Sequence, residues 1–222
     1  MTTDAKTYLI RAALLIKANP NPLILPAVLG LMLYMPPAPD GSPSGFYAMS
    51  MMFLFVIMPL IYGQYVELIT HNKLNSYIVL FRTHWLNYFI VSLLMGVPIL
   101  ILSGLGYVMG LSFWGLIKAL SIFIDVLSIY IFPLVFLTQQ KSKCIPLGIK
   151  CLFGNMNFSL PLIILTAIPS VLNLFIAEIS DTVTMSLPMI VLDYLMWIVS
   201  LFIEFVIFIA AALILKEKLL QS

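Results

Sequence analysis

The chain has 222 residues, of which 62% are hydrophobic and only 9% are charged, and its formal net charge is +2. A soluble globular domain carries about 25% charged residues, so this composition excludes that class and predicts an integral membrane protein. The small net charge gives no support to a nucleic-acid partner. We therefore predict an all-α fold, a polytopic membrane helical bundle that occupies residues 1–222 as one integral membrane domain.

The first part of the chain is predicted to lie along the membrane before crossing it. Residues 1–20 combine Lys6, Arg11 and Lys17 with short apolar runs, which is typical of an interfacial helix. The apolar run that follows, about residues 21–36, predicts a short first span that a proline interrupts. A signal peptide is the competing interpretation, but the prolines and the lack of a small-residue cleavage pattern argue against it.

Five longer apolar runs predict the remaining transmembrane helices. Their approximate bounds are 46–69, 85–108, 116–137, 158–177 and 187–215. Trp85 and Tyr107 lie at the two ends of the third span, as expected of interfacial aromatic belts. We predict that the six transmembrane helices form three hairpins, with short basic interfacial helices before them.

Basic residues are distributed unevenly between the two sides of this arrangement. Ten of the eleven lysines and arginines fall on the side of the termini, and only Lys118 lies near the other face. The loops of that other face carry Asp40, Glu178 and Asp181. The positive-inside rule therefore predicts that both termini are cytoplasmic.

The spacing of several residues indicates a threefold repeat. Lys17, Arg82 and Lys150 lie 65 and 68 residues apart, each shortly before an asparagine and an apolar run. Segments 59–62 (PLIY) and 133–136 (PLVF) are also similar, and each belongs to a span that returns to the cytoplasmic side. The third unit lacks this proline. This pattern predicts three related units, each with an interfacial segment, a span outward and a span back.

Cysteine and histidine residues give no indication of a metal or cofactor site, and we predict neither. Cys144 and Cys151 are seven residues apart in a basic segment, where we expect ordinary free thiols. His71 and His84 are predicted to be surface residues of a wet loop. Glu67 is expected to meet water or a basic loop residue.

The fourth span carries a polar stripe. Lys118, Ser121, Asp125 and Ser128 follow spacings of three, four and three, which place them on one helical face. An Asp near mid-membrane costs about 2.5 to 3.5 kcal/mol on insertion scales, so this face is expected to point toward other helices. Lys118 either reaches toward Asp125 or, as we prefer, snorkels to the outer interface.

The last two spans carry similar stripes. These consist of Ser159, Thr166, Ser170 and Asn173 in the fifth span, and Asp193, Ser200 and Glu204 in the sixth. Three stripes that face one seam would form a hydrated route or cavity, in which Asp125 and Glu204 exchange protons or bind a cation. Helix packing is the competing interpretation, because Ser, Thr and Asn commonly hydrogen-bond across membrane helices. The substrate or ion candidates are Asp125, Asp193, Glu204, Lys118, Ser121, Ser128, Ser170 and Asn173.

The order of motifs also resembles that of a group of bacterial proteins. The PLVF segment at 133–136 is followed by a basic amphipathic stretch at 150–157 and by another proline-bearing span. This layout is similar to that of YciC-like six-span inner-membrane proteins and of the membrane domain attached to some glycerophosphodiester phosphodiesterases. The resemblance implies an all-helical protein of a bacterial inner membrane. Asp125 and Glu204, deep in their spans, depart from it, and these 222 residues include no phosphodiesterase domain.

Three functions remain open from the sequence. The first is a non-enzymatic accessory or membrane component of a transport or envelope system, which contacts membrane lipids and docks a protein partner or anionic lipid through its cytoplasmic basic loops. The docking candidates are Lys141, Lys143, Lys150 and Arg82. The alternative is a small carrier or channel that uses Asp125 and Glu204. A lipid-modifying enzyme ranks last, because the sequence has no phosphate-binding loop, nucleophile elbow or paired-histidine motif.

Overall fold

The protein is built from helices. The computed structural model describes residues 4–33, 45–110, 113–138, 143–180 and 187–219, without the side chains of residues 46, 114, 170–180, 187–189 and 218–219. Every regular element in these ranges is helical, so the predicted all-α class is confirmed.

Short connections join the helices. In chain order the described helices are α1 (Ala5–Ala18), α2 (Asn21–Met32), α3 (Gly45–His71), α4 (Tyr77–Leu80), α5 (Leu86–Met109), α6 (Trp114–Thr138), α7 (Cys144–Gly154), α8 (Met156–Ser180) and α9 (Leu187–Ile214). A π-helical turn, Phe81–Trp85, connects α4 to α5, and a second one, Leu215–Leu219, follows α9.

Several of these helices have the length and composition of membrane spans. Among the described residues, the segments 47–71, 77–109, 115–138 and 190–217 are each long and apolar enough to cross a bilayer. The pairs α1 with α2 and α7 with α8 pass the same test together, but they bend by 82° and 104°. The chain therefore has the helices of an integral membrane protein, with four spans, or up to six if each bent pair is one span.

Helix α1 lies against the C-terminal end of the chain. Tyr8, Ala12 and Ile16 are spaced four residues apart and form its buried face, as expected of an amphipathic helix. At the edge of this face, the Arg11 guanidinium donates hydrogen bonds of 3.0 and 2.7 Å to the two carboxylate oxygens of Glu217. The first and last helical segments therefore meet at one end of the bundle.

Helix α2 runs away from that end, between α3 and α9. Just before α2, the backbone oxygen of Asn19 accepts a hydrogen bond of 2.9 Å from the Tyr65 hydroxyl, in the last turns of α3. Further along, the backbone oxygen of Ala27 accepts a hydrogen bond of 2.9 Å from Tyr194, in the first turns of α9. Helix α2 is thus antiparallel to both neighbours.

A close contact holds the end of α2 against α9, where the Trp197 ring covers Gly30. A Cβ atom added at Gly30 would lie 2.0 Å from that ring, so only glycine fits this position. The 12 residues of α2 measure about 18 Å, whereas the hydrocarbon core of a bilayer is about 30 Å thick. The helix alone is therefore too short to cross, in agreement with the weak first span in the sequence.

The core lies at the end of the bundle where the terminal segments meet. In and just after α9, residues 205–215 are all buried, so this part of the helix is enclosed on every side. Among residues 190–204 of the same helix, Leu201 alone is buried. Helix α9 is therefore surrounded at one end of the bundle and partly bare at the other.

Three aromatic rings meet at the centre of this core. They belong to Tyr62 of α3, Phe136 of α6 and Phe208 of α9, each on one of the helices that return toward the terminal end. The ring centroids of Tyr62 and Phe208 are 4.3 Å apart, those of Phe136 and Phe208 are 5.7 Å apart, and those of Tyr62 and Phe136 are 6.2 Å apart. Tyr62 and Phe136 are the last residues of the two similar segments in the sequence.

The wet loop predicted before the third span is largely helical. Helix α4 begins at Tyr77, and the turn Phe81–Trp85 joins it to α5, so Arg82 and His84 lie within one continuous helical stretch. His84 is only 2% exposed, and its ring lies 5.2 Å from that of Phe136. The predicted surface position is therefore wrong for His84, because the helical register turns this side chain inward.

Helix α7 packs tightly on α6. Cys144, Gly148 and Leu152 are spaced four residues apart and form its buried face, whereas Lys150 is exposed. A Cβ atom added at Gly148 would lie 2.5 Å from the Ile131 side chain and 3.0 Å from the Ile131 backbone. The absence of a side chain at this position thus allows the two helix backbones to approach each other.

Candidate functional site

A cavity lies between α3, α5, α6, α8 and α9, next to the buried core. Its volume is about 390 Å³, which falls within the range of about 300 to 1,000 Å³ typical of small-molecule sites. Tyr62 and Phe208 belong both to the lining of the cavity and to the central aromatic contact. The cavity therefore begins where the enclosed part of α9 ends.

Two carboxyl groups reach this cavity from different helices. Asp125 comes from α6 and Glu204 from α9, and the two are close enough for electrostatic interaction. The Tyr62 hydroxyl donates a hydrogen bond to Glu204, which ties α3 to α9. Among the described residues, no side chain donates a hydrogen bond to the Asp125 carboxyl group. Both acidic residues remain accessible from outside the bundle.

Aromatic side chains form much of the remaining wall. Of the described residues, those with aromatic rings at the cavity are Tyr62, Tyr88, Phe132, Trp197 and Phe208. The ring centroids of Tyr88 and Phe132 are 5.0 Å apart, and those of Tyr62 and Tyr88 are 6.1 Å apart. These rings enclose the space from helices α3, α5, α6 and α9, so the two carboxyl groups lie in apolar surroundings.

The hydroxyl groups of the wall contribute mainly acceptor oxygens. Ser128 donates its hydroxyl hydrogen to the backbone oxygen of Asp125 at 2.7 Å, and Thr166 donates to the backbone oxygen of Leu162 at 2.9 Å. Because these donors already have partners on their own helices, the lone pairs of their oxygens are what they offer to a ligand. Ser200 adds a third hydroxyl group from α9.

Two prolines also line the cavity. Pro133 in α6 and Pro169 in α8 have no N–H group, so neither can donate the usual helical hydrogen bond to the carbonyl four residues earlier. These carbonyls belong to Ile129 and Leu165, and Ile129 itself lines the cavity. Each helix therefore lacks one backbone hydrogen bond at the level of the cavity.

The structure brings together only part of the three predicted stripes. The stripe residues that line the cavity are Asp125, Ser128, Thr166, Ser200 and Glu204. Lys118, Ser121 and Asp193 are not part of its lining, and Ser121 donates a hydrogen bond of 3.0 Å to the backbone of its own helix.

One stripe residue has a structural role away from the cavity, and two cannot be placed. Ser159 is fully buried and donates a hydrogen bond of 2.8 Å to the backbone oxygen of Leu152, which joins α8 to α7. The side chains of Ser170 and Asn173 lie outside the described part of the chain.

The aromatic wall was not predicted from the sequence. Tyr62, Tyr88, Phe132, Trp197 and Phe208 occur in strongly apolar spans, where aromatic residues are ordinary core or lipid-facing side chains. A usable signal does exist for Trp197, Ser200 and Glu204. Their spacings of three and four residues place an aromatic ring, a hydroxyl group and a carboxyl group on one helical face.

A second polar cluster lies near the end of α3. Glu67 accepts a hydrogen bond of 2.9 Å from exposed His71, and its other oxygen lies 3.9 Å from buried His84, too far for a hydrogen bond. Glu67 thus meets a basic residue, as expected. No group of three or more His, Cys, Asp or Glu residues in the described part of the chain could hold a metal ion. Cys144 and Cys151 are free thiols, as predicted.

The basic residues suggested for docking lie on exposed surfaces wherever the structure describes them. Arg82, Lys143 and Lys150 are exposed, and Lys141 lies outside the described residues. Lys216 has a different role, because it donates a hydrogen bond of 2.8 Å to the backbone oxygen of Ile69 near the end of α3. A cation at this position also suits the negative end of the helix dipole.

The fold and the cavity together describe an all-helical integral membrane protein with a carboxylate-bearing, aromatic-lined cavity between its helices. In comparisons with known proteins, no family model, no curated protein and no solved structure matches this chain.

Proposed function

We propose that this protein is a carrier that binds a solute in the cavity between α3, α5, α6, α8 and α9 and moves it across the membrane. The observation that carries the proposal is the convergence of Asp125 and Glu204, from two different helices, on one cavity of about 390 Å³. Among the functions expected from the sequence, the cavity favours this one. Polar residues that serve helix packing alone would meet each other directly and leave no such space between them.

We further propose that the chain crosses a bacterial inner membrane six times, as three hairpins with both termini in the cytoplasm. The contact between Arg11 and Glu217 supports an even number of crossings, because it brings the first and last helical segments to one end of the bundle. The distribution of basic residues supports the cytoplasmic side for that end. In this arrangement the enclosed part of α9 faces the cytoplasm, and the cavity lies outward of it.

The position of the cavity suggests how transport proceeds. On the cytoplasmic side, the path is closed by the contacts among Tyr62, Phe136 and Phe208, which must separate to release a solute inward. Pro133 and Pro169 supply the points at which α6 and α8 bend, since their missing hydrogen bonds lower the cost of such motion. The Tyr62 hydrogen bond to Glu204 links this closure directly to the binding site.

The test is transport by the purified protein in liposomes. We expect the wild-type protein to transport protons or at least one solute from a panel of organic cations, neutral solutes and organic anions. The double variant Asp125→Asn, Glu204→Gln should lose that flux. Asp193→Asn is the matched control, because it removes a carboxyl group from the same helix as Glu204 but outside the cavity lining. It should transport like the wild-type protein.

Two results would contradict the carrier proposal. One is a flux no greater than that of protein-free liposomes for every solute and for protons. The other is a double variant that remains folded, by circular dichroism and gel filtration, and transports as fast as the wild-type protein. If Asp193→Asn lost as much flux as the double variant, transport would depend on a carboxyl group outside the cavity, and the cavity would not be the transport site.

A further inference from the structure

We propose that the ligand of this cavity is an organic cation with an apolar body, such as a protonated amine or a quaternary ammonium compound. This inference rests on the proposed function, because it names the class of solute for the same site. It is argued from the charges, the rings and the size of the cavity in turn.

The charge of the wall selects against anions. Asp125 and Glu204 are the charged groups of the lining, and the described lining residues include no Lys, Arg or His. Glu204 already accepts a hydrogen bond from Tyr62, whereas among the described residues none donates one to the Asp125 carboxyl group. A positively charged ligand would supply that partner, and in apolar surroundings the attraction between opposite charges is much stronger than in water.

The aromatic rings select for a cation of a particular kind. Tyr62, Tyr88 and Trp197 provide electron-rich ring systems that attract a weakly hydrated cation such as an alkylammonium group, with Trp the strongest of the three. Phe132 and Phe208 add apolar surface for the body of the ligand. The carboxyl groups and the electron-rich rings would thus bind the charged head of the ligand, while the apolar rings bind its hydrophobic body.

The size of the cavity disfavours a bare metal ion. A volume of about 390 Å³ is far larger than one ion, and much of the wall is apolar rather than a close cage of oxygen ligands. The described acidic and histidine residues also form no group of three ligands. A neutral solute would fit the volume but would leave the Asp125 carboxyl group without a partner of opposite charge.

The test is equilibrium binding to the protein in phosphatidylcholine nanodiscs, which carry no net lipid charge. Three probes share one ring and differ in charge: benzyltrimethylammonium, benzyl alcohol and benzenesulfonate. After subtraction of binding to empty nanodiscs, we expect benzyltrimethylammonium to bind at least ten times more tightly than either other probe. Asp125→Asn should weaken its binding at least tenfold, and Asp193→Asn should leave it unchanged.

A second pair of variants tests the rings without altering the charge. Trp197→Leu should weaken binding of benzyltrimethylammonium several-fold, while Trp197→Phe, which keeps an aromatic ring, should retain more of it. Tighter binding of benzyl alcohol or benzenesulfonate would overturn the inference, as would wild-type affinity in both folded Asp125→Asn and folded Trp197→Leu. Failure to bind benzyltrimethylammonium would also overturn it.

The outcomes separate this inference from the carrier proposal. If flux of a neutral or anionic solute depends on Asp125 and Glu204 while benzyltrimethylammonium does not bind, the cation inference fails and the carrier proposal stands. If benzyltrimethylammonium binds through Asp125 but no solute or proton crosses the liposome membrane, the ligand class stands and the carrier proposal fails.

Discussion

The hydrogen bond from Tyr62 to Glu204 is the polar contact that joins α3 to α9 at the cavity. Hydrogen bonds between membrane helices contribute about 0.6 kcal/mol on average and up to about 1.7 kcal/mol. We expect a double-mutant cycle of Tyr62→Phe with Glu204→Leu, which removes the acceptor oxygens, to give a coupling energy of about 1 kcal/mol. The measurement is reversible unfolding in mixed micelles, followed by circular dichroism.

The matched control for this cycle is Tyr130→Phe with Glu204→Leu. Tyr130 is also fully buried, but its hydroxyl group lies 3.5 Å from that of Ser159 on α8 rather than at Glu204. This second pair should show a coupling energy close to zero. Equal coupling in the two cycles would mean that Tyr62 and Glu204 stabilise the fold independently of their contact.

Helical spacing was sufficient to identify some of the site but not its extent. A period of 3.6 residues is readable in one sequence, so Asp125, Ser128 and Glu204 were recognised as members of inward-facing stripes. Lys118 and Asp193 belong to the same stripes but not to the cavity, because each stripe runs over several turns and the cavity occupies only some of them. The aromatic wall was missed because the same residue types serve cores, lipid contacts and ligand sites.

At the scale of helices, α7 approaches the backbone of α6 closely at Gly148. Ala at this position would place its Cβ 2.5 Å from the Ile131 side chain, and such overpacking costs about 1 to 3 kcal/mol. We therefore expect Gly148→Ala to lower the free energy of unfolding by that amount and to lower the melting temperature in detergent.

Gly154→Ala, at the end of the same helix, is the matched control. Nothing lies within 4 Å of a Cβ added at Gly154, and Ala favours helix formation over Gly by up to about 1 kcal/mol. The two substitutions should therefore change stability in opposite directions. A stabilising effect of Gly148→Ala would contradict the close contact of α7 with α6.

Element boundaries followed from the sequence where hydropathy alone determines them. The interfacial helix was predicted within residues 1–20, where α1 lies, and the long spans were predicted from their apolar runs. The helix at 77–85 was missed, because Arg82 and His84 are polar residues in a segment that pairs one exposed face with one buried face. Its inward face depends on packing against α3 and α6, which a single sequence does not report.

At the scale of the whole molecule, the proposed six-span arrangement predicts which parts of the chain are reachable from each side. In a variant with Cys144→Ala and Cys151→Ala, we expect Asp40→Cys to react with a membrane-impermeant maleimide in cells whose inner membrane is intact. Ser222→Cys should react only after that membrane is permeabilised. The physical reason is that α2 leaves the terminal end of the bundle, so the chain after it should emerge on the opposite face.

The two labelling sites are controls for each other, because the same reagent must distinguish them in one chain. Reaction of both cysteines only after permeabilisation would show that α1 and α2 turn back without crossing. Reaction of both in intact cells would contradict the cytoplasmic position of the C-terminus.

The threefold pattern illustrates what a single sequence can say about a whole molecule. The similarity of segments 59–62 and 133–136 could be recognised in the sequence. Their contact could not be predicted, because the two segments are more than 70 residues apart. Phe208, the third member of the contact, has no proline before it and could not be aligned by motif. The contact of Tyr62, Phe136 and Phe208 therefore relates all three helices, whereas the sequence motif relates only two of them.

The burial of residues 205–215 has a consequence for how the protein is made. Every residue of this segment is buried, yet the segment is synthesised after the helices α1, α3 and α6 that pack against it. Tyr62 and Phe136 are therefore synthesised before Phe208, the residue that both rings contact. Until α9 is synthesised, the apolar side chains of α1, α3 and α6 that surround residues 205–215 lack this partner, so this part of the core forms only after α9 is made.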